Sequence, residues 1–313
     1  MIAGRHSVEM VEVAPRDGLQ NEKALIATAD KLELIHRAIR AGSRRMEVAS
    51  FVNPRAVPQM ADAEAVCEGL PSRDDVTYIG LVMNARGAQR AIATGRIDQL
   101  GAVSVATDTF AMANQKQTSD GSVDAAREVI AMARQAGLTG QVTIAAAFGC
   151  PFEGEVGEDR VIAMALALAE AGPVEIGLAD TIGVGNPAQV AGLVGRIRRE
   201  LPDMALRVHF HNTRGTGLAN VWTAVAQGVS TVDASIGGLG GCPFAPGAAG
   251  NVCTEDVVYM LERGGIATGL DLDSLIATNG WLAGVMGRTL PGMVARAPRS
   301  PKQSASTGCL ENG

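Results

Sequence analysis

Two histidines separated by one residue are the strongest chemical signal in the sequence. They lie in segment 207–220, which reads RVHFHNTRGTGLAN, and residues 206–211 are rich in strand formers. Because successive side chains of a strand point to opposite faces, His209 and His211 share one face and Phe210 points to the other. Neutral imidazole is a common ligand of divalent metal ions, so the pair predicts a metal site. Two polar residues at a strand end are an equally good interpretation of this motif alone.

The elements that position the histidines follow a strand-then-helix rhythm. The predicted strands cover residues 8–13, 45–50, 77–83, 102–107, 142–148, 174–179, 206–211 and 231–236, and a helical pattern follows each of them. Such alternation requires a parallel sheet with right-handed crossovers. Eight units of this size predict an α/β fold of the (β/α)8 TIM-barrel type. A doubly wound open sheet is the alternative.

Length and composition fit one large domain. The chain has 313 residues, of which 47% are hydrophobic and 3% aromatic, and 38 are glycines, which suits a core of small aliphatic side chains and many tight turns. We expect residues 1–296 to form a single catalytic barrel with an appended C-terminal helix at 270–286. Residues 297–313 are rich in Pro and Ser and are expected to form a flexible tail.

Charge and cysteine usage limit the possible partners. The net charge of -6 comes without a long basic run, which argues against nucleic acid and anionic membranes as partners and favours small molecules. We find no secretory signal and no apolar run long enough to span a bilayer, so we expect a cytoplasmic protein. The five dispersed cysteines predict reduced thiols. We also expect a homo-oligomer, namely a dimer.

Polar residues lie at or just after the ends of most of the predicted strands. They are Arg16, Asp17, Glu47, Ser50, Asn84, Asp108, Asp180, His209, His211 and, after a glycine-rich segment, Asn251. In a parallel barrel the carboxyl ends of all strands meet at one face, where active sites form. This distribution favours the metal interpretation of the histidine pair.

Several of these residues also have interpretations without chemistry. The segment 15–18, PRDG, is compatible with a simple turn. Asp180 and Asn251 are compatible with helix caps, although an amide oxygen also binds hard cations. Glu47 is costly to bury without a partner, and Arg16 is the obvious one.

The segment 237–243, GGLGGCP, contains too many glycines for stable regular structure. It predicts a mobile loop with the Cys242 thiol at its centre, which is typical of a lid that carries a reactive group. Cys309 lies in the predicted tail, where it is either a residue without a role or a thiol that links two subunits on oxidation.

Four stretches resemble the 3-hydroxy-3-methylglutaryl-CoA (HMG-CoA) lyase family. They are EVAPRDGLQNEK at 12–23, FVNPRAVPQMAD at 51–62, ADTIGVG at 179–185 and GLGGCPFAPGAAGN at 238–251. The GLGGCP motif resembles this family specifically, whereas the RD and HxH motifs resemble a wider group of metal-dependent barrel enzymes that includes isopropylmalate and homocitrate synthases. The resemblance implies a Mg2+ or Mn2+ site and an acyl-CoA substrate.

The resemblance also implies roles for individual residues. It implies metal ligation by Asp17, His209, His211 and Asn251. It implies that Arg16 stabilises an enolate, that Cys242 is a catalytic thiol, and that Glu47 and Asp180 are further site carboxylates.

The implied reaction is cleavage of HMG-CoA to acetyl-CoA and acetoacetate, as in leucine degradation and ketone-body formation. Breaking a carbon–carbon bond beside a tertiary alcohol needs a base, a Lewis acid and a cation for the departing enolate. His209 or Asp180 would take the hydroxyl proton, Arg16 would bind the enolate oxygen, and Cys242 would protonate the enolate carbon. The alternatives are a lyase for a related thioester such as citramalyl-CoA, a Claisen-type synthase, and a non-catalytic acyl-CoA-binding barrel.

One segment departs from the family pattern. Residues 211–215 read HNTRG, where the family reads HDTYG. We predict that Arg214 binds an anionic part of the substrate, in addition to Arg16 and Asn84. The alternative is an ion pair of Arg214 with Asp180 or Asp233.

Overall fold

The computed structural model describes residues 7–240 and 250–298. Eight parallel strands form its centre: β1 (Glu9–Glu12), β2 (Arg45–Ser50), β3 (Thr77–Val82), β4 (Gln99–Val105), β5 (Thr139–Ala145), β6 (Ile176–Asp180), β7 (Leu206–Phe210) and β8 (Thr231–Ala234). Each strand pairs with the next in chain order, and β8 pairs with β1, so the sheet closes. This confirms the TIM-barrel prediction and excludes the open sheet.

Helices surround the closed sheet. They are α1 (Thr28–Arg40), α2 (Ala63–Glu68), α3 (Ala85–Ala93), α4 (Asp108–Gln115), α5 (Ser119–Gln135), α6 (Glu158–Ala169), α7 (Pro187–Glu200), α8 (Gly217–Ala226), α9 (Thr254–Arg263) and α10 (Leu272–Met286). The last of these is the predicted appended helix, and it packs on α1, where the Arg37 guanidinium lies 4.7 Å from the Trp281 ring centre. No helix within the described ranges is long and apolar enough to cross a membrane.

The main correction to the predicted strands concerns β4 and β5, which both begin three residues earlier than the apolar pattern indicates. Their first residues are Gln99 and Thr139, and the Gln99 amide donates to the Thr139 hydroxyl at 3.0 Å. Gln99 is buried at the lower end of the barrel, and Thr139 is exposed at its edge. A prediction that starts a strand at its first apolar residue therefore starts too late.

The lower end of the barrel interior is filled by a buried polar network. Arg45 donates to the Glu175 carboxylate at 2.5 and 3.2 Å and to the Gln99 amide oxygen at 2.6 Å. Arg45, Gln99 and Glu175 are all buried, so each polar group relies on the others for its hydrogen bonds. The network fills the barrel interior beneath the carboxyl ends of the strands.

The described cysteines, Cys67, Cys150 and Cys253, are buried free thiols, in agreement with the predicted reduced state. Residues 299–313 lie outside the described residues, and so does Cys309. The division into one domain and a tail stays a prediction.

Candidate active site

A carboxylate and two imidazoles meet at the carboxyl ends of the strands. One ligand atom from each of Asp17, His209 and His211 lies within 4.8 Å of the others. The distance from Asp17 Oδ2 to His209 Nε2 is 3.8 Å, and the two imidazole ring centres are 5.3 Å apart. His209 on β7 and His211, directly after its end, therefore lie on the same side, as the sequence predicts.

A tight turn after β1 brings Arg16 and Asp17 over the barrel mouth. The turn is a single π-helical turn, Ala14–Gly18, in which the N–H groups of Arg16, Asp17 and Gly18 donate to the Val13 carbonyl. A Cβ atom on Gly18 would lie 2.8 Å from the Ser235 hydroxyl oxygen, so the close approach of the turn to the end of β8 requires glycine here. The PRDG segment is a turn and also carries site residues.

Glu12 fixes the base of this turn. Its carboxylate accepts hydrogen bonds from the Ala14 N–H at 2.9 Å, the Ile236 N–H at 2.9 Å and the Thr254 hydroxyl at 2.8 Å. It therefore joins the ends of β1 and β8 to the start of α9. Burial nevertheless raises the pKa of Glu12 to about 8, because the hydrogen bonds offset only part of the desolvation of the charge.

Arg16 is held by two carboxylates. Its Nη2 donates to Glu47 Oε2 at 2.7 Å, and its Nη1 donates to Asp17 Oδ1. Arg16 and Glu47 are both buried, so the ion pair gives the predicted solution to the cost of burying Glu47 in a strand. The guanidinium consequently faces the cavity in a fixed orientation.

Asn251 joins the cluster through Asp17. Its Nδ2 donates to Asp17 Oδ2 at 2.6 Å and to the Leu239 carbonyl at 3.0 Å, and its backbone bridges to His211. The alternative that Asn251 caps the next helix is wrong, because α9 begins at Thr254 and Cys253 is its N-cap.

Asp233 on β8 orients His209 from behind. The His209 Nδ1–H donates to Asp233 Oδ2 at 3.1 Å, and Asp233 is buried. This contact leaves the Nε2 lone pair of His209 directed at Asp17 and His211. A carboxylate behind an imidazole in this way is the usual support of a metal-binding histidine.

The electrostatics of the cluster favour a bound cation. Burial alone would raise the pKa of Asp17, but the positive charge of Arg16, the neighbouring imidazoles and the hydrogen bond from Asn251 outweigh it and hold that pKa well below its usual range. Burial, together with the nearby His209 and Arg16, lowers the pKa of His211 to about 4. Asp17 is therefore an anion and His211 a neutral imidazole near pH 7.

The donor set fits a divalent metal ion. It offers an anionic oxygen and imidazole nitrogens, with an amide at the Asp17 carboxylate. The Nδ1 atom of His211 is buried and has no hydrogen-bond partner among residues 7–240 and 250–298. A buried ring nitrogen without a hydrogen-bond partner is costly unless a ligand satisfies it.

The cluster lies in a cavity of about 220 Å³ that adjoins a cleft of about 1040 Å³. Gln20, Met83 and Asn114 line both spaces, so the two are continuous. The cleft is also lined by Asn84, whose side chain caps α3 by accepting from the Gly87 N–H at 3.0 Å. The structure therefore places Asn84 in the cleft and away from the metal cluster.

Asp180 does not line the cavity. Its fully buried carboxylate accepts from the N–H groups of Val184 at 3.0 Å and Gly185 at 2.9 Å. It is not a cap of the next helix either, since Asn186 caps α7. Burial raises the pKa of Asp180, although the backbone donors and the Arg214 charge oppose this rise.

Arg214 lies at the rim, where its Nη1 donates to the carbonyls of Ile182 at 2.8 Å and Gly183 at 3.1 Å. It does not line the cavity, so it braces the loop after β6. Cys242 lies outside the described residues, two positions after Gly240, which lines the cavity.

The cavity wall also includes residues that were not predicted as site residues, among them Thr143, Arg207 and Asp233. A signal for Arg207 was present, because it lies two residues before His209 and shares its face of β7. The position of Asp233 depends on pairing with β7, in which His209 and Asp233 are in register.

A closed parallel barrel with a carboxylate–histidine cluster at its strand ends defines a class of barrel enzymes with a candidate metal centre. The HMGL-like family model matches residues 7–281, and the chain belongs to this family of carbon–carbon lyases.

Curated relatives and solved structures agree with this assignment. An (R)-citramalyl-CoA lyase of Chloroflexus aurantiacus is 43% identical over 93% of this chain and 95% of its own length. A hydroxymethylglutaryl-CoA lyase of Bacillus subtilis is 41% identical over 91% and 95%, respectively. The structure of an HMG-CoA lyase from Acinetobacter baumannii in complex with coenzyme A and 3-methylmalate matches with a TM-score of 0.90 and 40% identity, covering 97% of this chain and 99% of that one.

Proposed function

We propose that the protein cleaves HMG-CoA to acetyl-CoA and acetoacetate with a Mg2+ or Mn2+ ion. The observation that carries the proposal is the position of the Asp17, His209 and His211 cluster in a small cavity that opens into a much larger cleft. The small cavity suits a short hydroxy acid, and the cleft suits a long carrier.

The cleft has the charge that coenzyme A requires. Arg55, Arg86 and Lys116 are exposed on its lining. Coenzyme A carries several phosphate charges on an extended chain, and guanidinium groups bind phosphate with paired hydrogen bonds. The Acinetobacter relative contains coenzyme A, which supports the same class of ligand for this chain.

A divalent ion bound at the cluster would supply Lewis acidity toward the hydroxyl and carboxylate oxygens of the substrate. Arg16 would stabilise the enolate oxygen, because its guanidinium is already oriented by Glu47 and Asp17 and needs no reorganisation. The Asn251 amide, held against Asp17, would complete the ligand set after turning its oxygen inward.

The role of His209 as proton acceptor does not fit its contacts. Nδ1 donates to Asp233, and Nε2 faces Asp17, so a His209 that holds an ion has no free nitrogen for a proton. We therefore propose His209 as a ligand and a carboxylate of the cavity wall, Glu47 or Asp233, as the acceptor. Cys242 remains the proposed proton donor to the enolate carbon.

Citramalyl-CoA is the second candidate substrate, because one relative with that activity in its name is 43% identical over 93% of this chain. The two thioesters differ in where the free carboxylate sits relative to the carbinol carbon. Their keto-acid products are therefore different, pyruvate for citramalyl-CoA and acetoacetate for HMG-CoA.

Release of acetyl-CoA from each thioester tests the proposal. We expect turnover of HMG-CoA with Mg2+ or Mn2+, loss of turnover in excess EDTA, and recovery when metal is restored. Asp17→Asn is expected to lose most of the turnover while the melting temperature changes little. Turnover of citramalyl-CoA alone would establish the second candidate, and turnover that persists in EDTA would refute the metal role.

Two further assays address the remaining proposals. Cys242→Ala is expected to lower turnover on the order of 100-fold, with little effect on substrate binding. Condensation of acetyl-CoA with acetoacetate or pyruvate that also hydrolyses the thioester and releases free coenzyme A would identify a Claisen-type synthase, because the reverse of the lyase reaction retains the thioester. A cytoplasmic location and a dimer also remain proposals, and the dimer is tested by the mass in solution.

A further inference from the structure

We infer that Lys31 is a positioning residue, which holds one wall of the large cleft where the coenzyme A half of the substrate binds. This inference rests on the proposed function, since it concerns the carrier of the same thioester. The wall consists of residues 51–57, which all line the cleft. Lys31 lies on α1 outside this lining, so it acts on the ligand only through the wall.

The middle of the wall is exposed and is held together by local contacts. Residues 53–56 are all exposed. The Arg55 N–H donates to Asn53 Oδ1 at 3.0 Å, and the Ala56 N–H donates to the Asn53 carbonyl at 2.9 Å. These bonds shape a turn but do not attach it to the barrel. The position of the turn therefore depends on how the two ends of the segment are fixed.

The first end of the wall is fixed to β3 and α3. The Phe51 N–H donates to the Leu81 carbonyl at 2.9 Å, and Arg90 Nη1 donates to the Val52 carbonyl at 2.9 Å. The Arg90 guanidinium also lies 5.7 Å from the Phe51 ring centre. The barrel and its helix layer therefore hold this end directly.

The second end of the wall is fixed by Lys31. Its ammonium group donates to Asp62 Oδ1 at 2.6 Å and to the Gln59 carbonyl. The Thr28 hydroxyl donates to Asp62 Oδ2 at 2.7 Å, and the Ile26 N–H donates to Gln59 Oε1 at 2.9 Å. These contacts tie the residues that follow the wall to the start of α1.

Burial of the Lys31 ammonium group indicates a role in placement. Lys31 is 2% exposed, and the side chain of Asp62 is 25% exposed, so the ion pair is largely removed from water. The desolvation of such a pair offsets most of its attraction, and an apolar side chain of similar volume often stabilises a fold equally well. An apolar side chain has no directional contacts, however. An ammonium group that donates to a carbonyl and a carboxylate of one segment fixes where that segment lies.

Equilibrium titration with free coenzyme A tests the inference without turnover. Lys31→Met keeps a long side chain and removes the ammonium group. If the wall then occupies its binding position for about a tenth of the time, the affinity for coenzyme A falls about tenfold. Binding of Mn2+ at the Asp17, His209 and His211 cluster is expected to stay within about twofold of the wild type, because these ligands do not contact the wall. Both titrations are performed at a temperature at which thermal melting shows each variant to be folded.

A double-mutant cycle shows whether Lys31 acts through the wall. Arg55 lies on the wall, Arg86 lies on α3, and both are exposed in the cleft. Arg55→Gln is expected to weaken coenzyme A binding less in Lys31→Met than in the wild type, because a displaced wall no longer presents Arg55 to the ligand. Arg86→Gln is expected to weaken binding by the same factor in both backgrounds.

Two additional variants separate placement from folding. Asp62→Asn keeps the shape of the side chain and removes the charge that binds Lys31, so it is expected to weaken coenzyme A binding a few-fold. It takes the place of Lys31→Met if that variant does not fold. Arg45→Met removes a different buried cation, which binds Glu175 in the barrel interior. It is expected to lower the melting temperature and to leave the affinity for coenzyme A unchanged.

The inference is overturned if Lys31→Met and Asp62→Asn bind coenzyme A as tightly as the wild type, or if the effects of Arg55→Gln and Arg86→Gln are both independent of Lys31. Equal weakening of coenzyme A and Mn2+ binding would also overturn it, since the defect would then be general. A wild type that does not bind coenzyme A would contradict the proposed function and this inference with it. Normal binding by the wild type and by both variants would contradict the role of Lys31 alone.

Discussion

Replacing Asp233 by Asn tests how the barrel prepares His209 for an ion. The wild-type carboxylate accepts from His209 Nδ1 at 3.1 Å, which fixes the tautomer with a free Nε2 lone pair. An Asn amide is able to rotate and donate to Nδ1 instead. The proton would then move to Nε2, and that nitrogen would no longer bind a metal ion.

The expected loss follows from the burial of the pair. Asp233 is 4% exposed, so water does not replace the hydrogen bond when it is lost. A hydrogen bond to a charged group contributes about 1.5–3 kcal/mol, and loss of the carboxylate behind a metal-binding histidine typically costs 10- to 100-fold in affinity. A loss of about 2 kcal/mol corresponds to about 30-fold weaker binding of Mn2+.

Calorimetric titration with Mn2+ measures this loss directly. Glu175→Gln is the matched control, because it also removes one buried negative charge from the barrel interior but does not contact His209. We expect the control to bind Mn2+ within about threefold of the wild type. Both variants are compared by thermal melting.

Unchanged Mn2+ affinity in Asp233→Asn would refute the reasoning, since His209 would then be correctly oriented without its carboxylate. An equal loss in Glu175→Gln would show that only the total interior charge matters. A loss confined to Asp233→Asn supports the tautomer argument.

Three further predictions concern Glu12, Glu47 and Arg214. The folded-state pKa of Glu12, about 8, lies above the unfolded value of 4.5, so its stabilising contribution is complete below about pH 4.5 and is lost as the pH rises through 8. The free energy of unfolding of Glu12→Gln, measured with denaturant, should therefore fall less than that of the wild type between pH 5 and 9. Parallel plots of this free energy against pH for the two proteins would contradict the prediction. Glu47→Gln removes one of the two carboxylates that hold Arg16, so turnover should fall more than tenfold. Full activity of this variant would show that Asp17 alone orients Arg16. Arg214→Gln should lower the free energy of unfolding by less than about 1 kcal/mol without changing substrate preference, because the hydrogen bonds of Arg214 go to loop carbonyls. A change in the ratio of the KM values for the two thioesters would instead support a role in substrate binding.

The sequence predicts the fold because each of its signals is local. The apolar period of a strand or a helix depends on residues a few positions apart, and the alternation of the two leaves few possible topologies. The shared face of His209 and His211 follows from the geometry of one strand. The pairing of Arg16 with Glu47 follows from the cost of burying a carboxylate without a partner.

Asp180 and Arg214 each have a local pattern that is compatible with two roles. Asp180 closes a strand, as a catalytic carboxylate would, but its oxygens are used by the backbone of the following loop. Arg214 follows the histidines directly, but Gly215 has a positive φ of 77° in the turn that follows, and the Arg214 side chain reaches toward the loop after β6. Nothing in the local pattern of either residue distinguishes these outcomes from a role in the cavity.

The sequence by itself determined that strands and helices alternate and that the polar residues lie at strand ends. Only the tertiary structure decided that Asp233 supports His209, that Arg207 lies beside Glu175 and Asp233, and that the cavity opens into a cationic cleft. These relations join residues on different strands, and they depend on the register of each pair and on closure of the sheet. Register is set by all the contacts along the barrel together, so no local segment contains the information that specifies it.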